Sequence, residues 1–249
     1  MQPPSGAVFF PAVNRMDRRG FVKVCAGSAA LALANWDQMA VAAGFEAFPA
    51  AKLTNQFGAP LKGAEIPIDE ALVFSYPLAG VPCFLINLGE RPSKSNIALK
   101  NEDGDYRWQG GVGPKGQFVA FVAICTHQMS YPQPAVSYLR YAASGSELAG
   151  GPGKIVCCAH GSVYDPTEGA RVVIGPATMP LMPVSLAYDP DSDELSADGI
   201  MGMEYIKRFF KTYKADLNAR FGPGGYRQEV GGKTACIPLS QYSGVVPTC

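Results

Sequence analysis

At 249 residues, 47% of them hydrophobic, the chain is long enough to bury one core of ordinary domain size with tails to spare. Its 21 basic residues balance 21 acidic ones, which excludes a net charge suited to nucleic acid or an anionic membrane surface. Twenty-eight glycines and 21 prolines among short apolar runs mark a chain that turns often between brief strands, so β architecture is expected.

Residues 1–43 read as an address. Asp17-Arg18-Arg19-Gly20-Phe21-Val22-Lys23 precedes an uncharged stretch from Val24 to Trp36 and ends in Ala40-Val41-Ala42-Ala43. A basic region, an apolar region and a small-residue end are the parts of an export signal. Arg18 and Arg19, with Phe21 and Lys23 at their spacing, resemble the twin-arginine type, with Met16 as an alternative start. That route carries folded cargo, which suits a protein loaded with a cofactor before export to the periplasm. The apolar run is shorter than the roughly 20 residues that cross a bilayer, so membrane association is expected only through a retained signal anchor or a partner.

Residues 44–202 are expected to form the main domain. After a mixed, proline-spotted start, Ala71–Phe74 and Cys83–Leu88 predict strands, residues 89–117 a polar loop, and Phe118–Ile124 a buried strand that runs into Cys125. Ile155-Val156 leads likewise into Cys157. Val172–Ile174, Val184–Tyr188 and Glu194–Ala197 continue the strands, with Asp189–Asp193 as a turn. From 203 to 249 a C-terminal extension is expected, partly helical and partly irregular. Ile206, Phe209, Phe210, Tyr213, Leu217 and Phe221 recur at helical spacing among Lys207, Arg208, Lys211 and Lys214. Such a helix packs on the domain, with a docking element as the alternative.

The two histidines of the chain, His127 and His160, each follow a cysteine closely, in Cys125-Thr126-His127 and Cys157-Cys158-Ala159-His160. Two thiolates suit one iron of a [2Fe–2S] cluster and two imidazoles the other, which raises the potential above that of an all-cysteine cluster. A zinc site accepts the same donors, but zinc fingers pair cysteine with cysteine and histidine with histidine, whereas each loop here supplies one of each.

Cys125-Thr126-His127 with Cys157-x-x-His160-Gly161-Ser162-x-Tyr164-Asp165 resembles the two cluster loops of Rieske proteins. The resemblance implies an antiparallel β-sandwich with a small cluster-binding subdomain. It further implies that Cys125, His127, Cys157 and His160 hold the cluster, and that Ser162 and Tyr164 donate hydrogen bonds to its sulfur atoms and raise its potential. Gly175-Pro176-Ala177 resembles the family's proline loop, which places Pro176 over the cluster. Tyr76-Pro77 to Pro82-Cys83, Gly110–Pro114 and Ala197–Gly202 are similar to the small subunit of arsenite oxidase. That similarity implies a molybdopterin-bearing catalytic partner and a cytochrome c or cupredoxin as the other electron partner.

Two features depart from the family pattern. Many members link the cluster loops by a disulfide whose positions here are Ser130 and Ala159, and the segment Tyr131–Gly153 between the loops is longer than in compact members. In an oxidising compartment the cysteines that are not ligands invite disulfides. Cys236 and Cys249 are candidates to close a C-terminal loop, Cys83 reads as a small apolar core residue, and Cys158 has no assignment. An electron carrier needs no catalytic acid, base or nucleophile, so none is expected. A Rieske oxygenase needs further histidines for its mononuclear iron, and both are already used. The alternatives are a Rieske subunit of a cytochrome bc-type quinol-oxidising complex and, from another class, a zinc-stabilised periplasmic binding module.

Overall fold

The computed structural model describes residues 44–249. Its centre is a pair of strands buried on both faces, β3 (Pro82–Asn87) and β6 (Phe118–Val122), which pair antiparallel. Because neither face meets water, both read as unbroken apolar runs rather than as alternating ones. Cys83 and Leu85 of β3, with Phe118, Ala120 and Val122 of β6, point into one core, and Phe84, Ile86, Val119 and Phe121 into the other.

Around this pair an eight-stranded sheet is built. β2 (Leu72–Ser75) flanks β3, while β11 (Pro183–Asp189) and β12 (Glu194–Met201) follow β6, joined by the expected turn, and β1 (Phe45–Thr54) pairs antiparallel with β12. The C-terminal segment closes both edges of this sheet. β13 (Gly232–Ala235) runs parallel to β1, and β14 (Ile237–Pro238) pairs with β2. The part expected as an extension thus supplies both outermost strands.

One core lies between this sheet and two helices, α1 (Met203–Thr212) and α2 (Lys214–Phe221). Ile206, Phe209, Phe210 and Leu217 are buried in it, and Lys207, Arg208, Lys211 and Lys214 are exposed, so the helices pack on the domain. A short helix, α3 (Leu239–Tyr242), follows β14. No helix among the described residues is long and apolar enough to cross a membrane.

The other core lies under a hairpin of β4 (Ile97–Asn101) with β5 (Gly104–Trp108) and a four-stranded sheet. The latter has the order β10 (Arg171–Ile174), β9 (Ser162–Asp165), β8 (Lys154–Cys157), β7 (Leu139–Ala142), antiparallel throughout. This small sheet carries the second Cys/His motif, as the all-β expectation with a small subdomain requires. The β4–β5 hairpin lies inside the stretch expected as loop. Its strands bury only alternate residues, Leu99, Asn101, Tyr106 and Trp108, so the apolar signal is diluted by the charged residues between. β1 also went unforeseen, because a bulge between Ala47 and Ala51 breaks its alternation.

Candidate metal centre

Two loops from different sheets carry the four candidate ligands and bring Cys125 beside Cys157 and His127 beside His160, although no group of three or more donors closes around one metal position among the described residues. The first leaves the end of β6, where Cys125 is buried and its turn is closed by Cys125 N–H donating to Ser130 O at 2.8 Å and Met129 N–H to Cys125 O at 2.8 Å. The second joins β8 to β9, where Gly161 N–H donates to Cys157 O at 2.9 Å and Cys157 stands opposite Ser162. Rigid strands thus hold short loops that present the donors.

Two pairs of donors are in contact. The Cys125 and Cys157 thiols hydrogen-bond one another, and the His127 and His160 rings lie edge to face with centroids 5.0 Å apart. Within the thiol pair, the hydrogen bond from Cys157 pulls Cys125 down to about 6, against burial and with help from Tyr164 and the His127 and Gln128 N–H groups. The same bond, with burial, pushes Cys157 up. A lowered Cys125 thiol is a starting point for binding metal as a thiolate.

His127 Nδ1 is buried and has no hydrogen-bond partner. A buried lone pair left bare is costly unless something binds it, and a metal ion is such a partner. His160 is exposed. Two neighbouring thiols and two neighbouring imidazoles, one with a bare buried nitrogen, supply the donor set of a [2Fe–2S] cluster with cysteines on one iron and histidines on the other.

Tyr164 and Ser162 reach the site from β9, both fully buried. The Tyr164 hydroxyl lies 3.2 Å from Cys125 Sγ and 3.1 Å from Thr126 N, whose N–H it accepts. Ser162 Oγ accepts the Ala177 N–H at 3.2 Å, so its own proton remains available to a neighbouring acceptor. That bond ties the segment holding Pro176 to the second loop. Gly175 makes the approach possible. It sits at φ +92°, and a Cβ there would stand 2.2 Å from Gly161 O.

Sequence reasoning passed over two supports of the first loop. Thr126 Oγ1 donates to Met179 O at 2.6 Å, and Tyr205 of α1 donates to Cys125 O at 2.7 Å. Thr126 lies between two candidate ligands and was open to notice. Tyr205 reaches the loop from a distant helix, and no local pattern announces that.

The cysteine pairing requires a correction. Cys249 is joined to Cys158, not to Cys236. Cys236 follows β13 into the core, where it is 3% exposed and its N–H donates to Thr54 O, whereas the chain after α3 turns back toward the small sheet and carries Cys249 to the second loop. Burial pushes the free thiols of Cys236 and Cys83 up, and Cys83 packs as the small core residue expected. Arg18 and Arg19, read as a twin-arginine pair, lie outside the described residues.

No family model matches the chain. Iodate reductase subunit IdrB of Denitromonas iodatirespirans is 30% identical over 193 residues, 76% of this chain and 84% of that protein. The soluble domain of Rieske protein II (soxF) from Sulfolobus acidocaldarius superposes with a TM-score of 0.42 and 27% identity, over 61% of this chain and 78% of that one.

Proposed function

The chain belongs to the Rieske iron–sulfur family, with the small subunits of arsenite oxidase, and we propose that it is the electron-transfer subunit of an exported molybdopterin oxidoreductase. Its coarse role, a Rieske-type electron-transfer subunit related to a subunit of iodate reductase, follows from the relationship. The site agrees with it. One observation supports the assignment of Cys125, Cys157, His127 and His160 as ligands: the buried His127 Nδ1, on the loop that also carries Cys125, is left without a hydrogen-bond partner. Zinc accepts the same four donors, and it is the relationship to the Rieske family that favours iron.

When bound, a [2Fe–2S] cluster supplies a one-electron couple. The protein's own groups do the rest. Burial of Cys125 and Cys157 keeps water from the sulfurs, Tyr164 and Ser162 offer hydroxyl protons that favour the more negative state, and exposure of His160 gives a short path to a partner's surface. No acid, base or nucleophile is called for.

The partner reading rests on the relatives. One is a subunit of an iodate reductase, and the flanking motifs resemble those of arsenite oxidase; both names describe a redox enzyme that acts on an oxyanion. We assign to this chain a molybdopterin catalytic subunit on one side and a cytochrome c or cupredoxin on the other, with the direction of flow set by the catalytic subunit's substrate. Export to the periplasm is supported by the twin-arginine pattern at Arg18-Arg19 and by a disulfide, a bond that persists in oxidising compartments.

Purification of the native complex tests this. A stoichiometric molybdenum subunit and the low-average-g EPR signal of a reduced Rieske centre are expected. Co-purification of a cytochrome b establishes the quinol-oxidising alternative instead, and zinc without that signal removes the electron-transfer role. Replacement of Arg18 and Arg19 by Lys is expected to leave the protein in the cytoplasm.

A further inference from the structure

The long segment after the first loop and the last residues of the chain form one device. Gly244 N–H donates to Pro134 O at 2.8 Å, Val245 N–H to Ala135 O at 3.1 Å, and Ser137 N–H to Val245 O at 2.9 Å. Val136 and Val245 form a parallel bridge, and Ser243 Oγ donates to Gln133 O at 2.7 Å. The tail is thereby zipped along residues 133–137, which follow the Cys125–Ser130 turn directly. Tyr131 anchors the other side of that segment, its ring 4.9 Å from Phe209 and 5.2 Å from Tyr213.

Past Val246 the tail ends in the disulfide from Cys249 to Cys158, the neighbour of Cys157. Cys158 N–H also donates to Tyr138 O at 2.7 Å. A continuous path therefore runs from the first loop through residues 133–138 and the tail, and enters the second loop covalently beside a ligand. The two loops have no direct cross-link of their own, since Ser130 and Ala159 carry no thiol.

We propose that residues 243–249 are a strap which, closed by Cys158–Cys249, holds the two loops at the separation the four ligands need. Cys158 and Cys249 are positioning residues: bonded to one another, they act through Cys157, the chain neighbour of Cys158, and through His160 on the same loop. A cross-link over a sequence separation of 91 removes much of the freedom of an open tail. The strap also explains why the segment between the loops is long, because it must extend far enough to pair with the tail. The inference rests on the Rieske reading for its ligand and on the geometry above for its device.

The test uses the full chain. Peptide mapping of the oxidised wild-type protein by mass spectrometry is expected to recover a linked Cys158–Cys249 pair. In Cys249→Ser, and equally in Cys158→Ala, hydrogen exchange at the amides of residues 125–130 and 157–162 is expected to quicken at least about tenfold, as loss of a disulfide constraint permits. The EPR signal should broaden and decay correspondingly faster in the presence of an iron chelator. Leu195→Ala, which destabilises the core far from the loops, should leave the line shape unchanged. Should the variants fail to fold, mild reduction of the folded wild-type protein provides the same comparison. Absence of the linked peptide, or loop exchange and signal lifetime unaltered once the bond is gone, overturns the strap. A wild-type protein without a Rieske signal overturns the cluster reading instead, and exchange and mapping still judge the strap.

Discussion

The Tyr164 hydroxyl lies 3.2 Å from Cys125 Sγ while accepting the Thr126 N–H at 3.1 Å. Because Thr126 Oγ1 spends its own proton on Met179 O, the tyrosine proton is left to choose between Cys125 Sγ and Thr126 Oγ1. A thiolate is the stronger acceptor, so the proton goes to sulfur.

Tyr164→Phe should therefore lower the midpoint potential. A hydrogen bond worth about 1 kcal/mol more in the reduced state corresponds to a shift on the order of 50 mV for one electron. The cluster should be retained. Redox titration followed by EPR measures the shift, and an unchanged potential refutes a proton donated to Cys125.

Ser162→Ala is expected to act in the same direction, with an added effect on the proline loop. The Ala177 N–H loses its acceptor at a buried position, so residues 175–177 should exchange amide protons faster than in the parent protein. If the potential falls but exchange does not change, Ser162 serves the cluster alone.

Gly175→Ala should cost about 1–3 kcal/mol, because it forces a side chain into left-handed backbone and drives a Cβ to 2.2 Å from Gly161 O. Relief requires that the proline loop lift from the second cluster loop. Thermal unfolding and the rate of cluster loss report the two effects. A protein as stable and as well loaded as the parent shows that the approach of the two loops is not needed.

Asp165, which ends β9, predicts an acid-range dependence. Burial works against its charge, but hydrogen bonds from Lys154 and from the Thr167 hydroxyl and N–H outweigh this and hold the carboxyl below its usual range. Its folded pKa is thus lower than its unfolded value of about 3.9, so the stabilisation is complete above that pH and is lost as pH falls through the folded pKa. Asp165→Asn should cost about 1–3 kcal/mol at neutral pH, where it strands a half-buried Lys154 ammonium, and should flatten the loss of stability below pH of about 4. Denaturant titrations from pH 7 downward decide it: parallel curves for the two proteins would falsify the role.

Much of this protein is legible before it folds, where the chemistry is local to a few residues. Cys125-Thr126-His127 and Cys157 to Tyr164 announce candidate ligands and the hydroxyls beside them within short stretches, and the apolar runs of β3 and β6 announce strands buried on both faces. α1 was legible because one face repeats at helical spacing. The tertiary structure alone decided what joins residues far apart in the chain. It chose Cys158 rather than Cys236 as the partner of Cys249 and brought Tyr205 to the carbonyl of Cys125 across 80 positions. It also laid the tail along residues 133–137. Two thiols of like character offer no local preference, so where each comes to rest is set by the sheets that carry it: Cys236 is drawn inward with β13, and Cys249 is left free to reach the loop that holds Cys157.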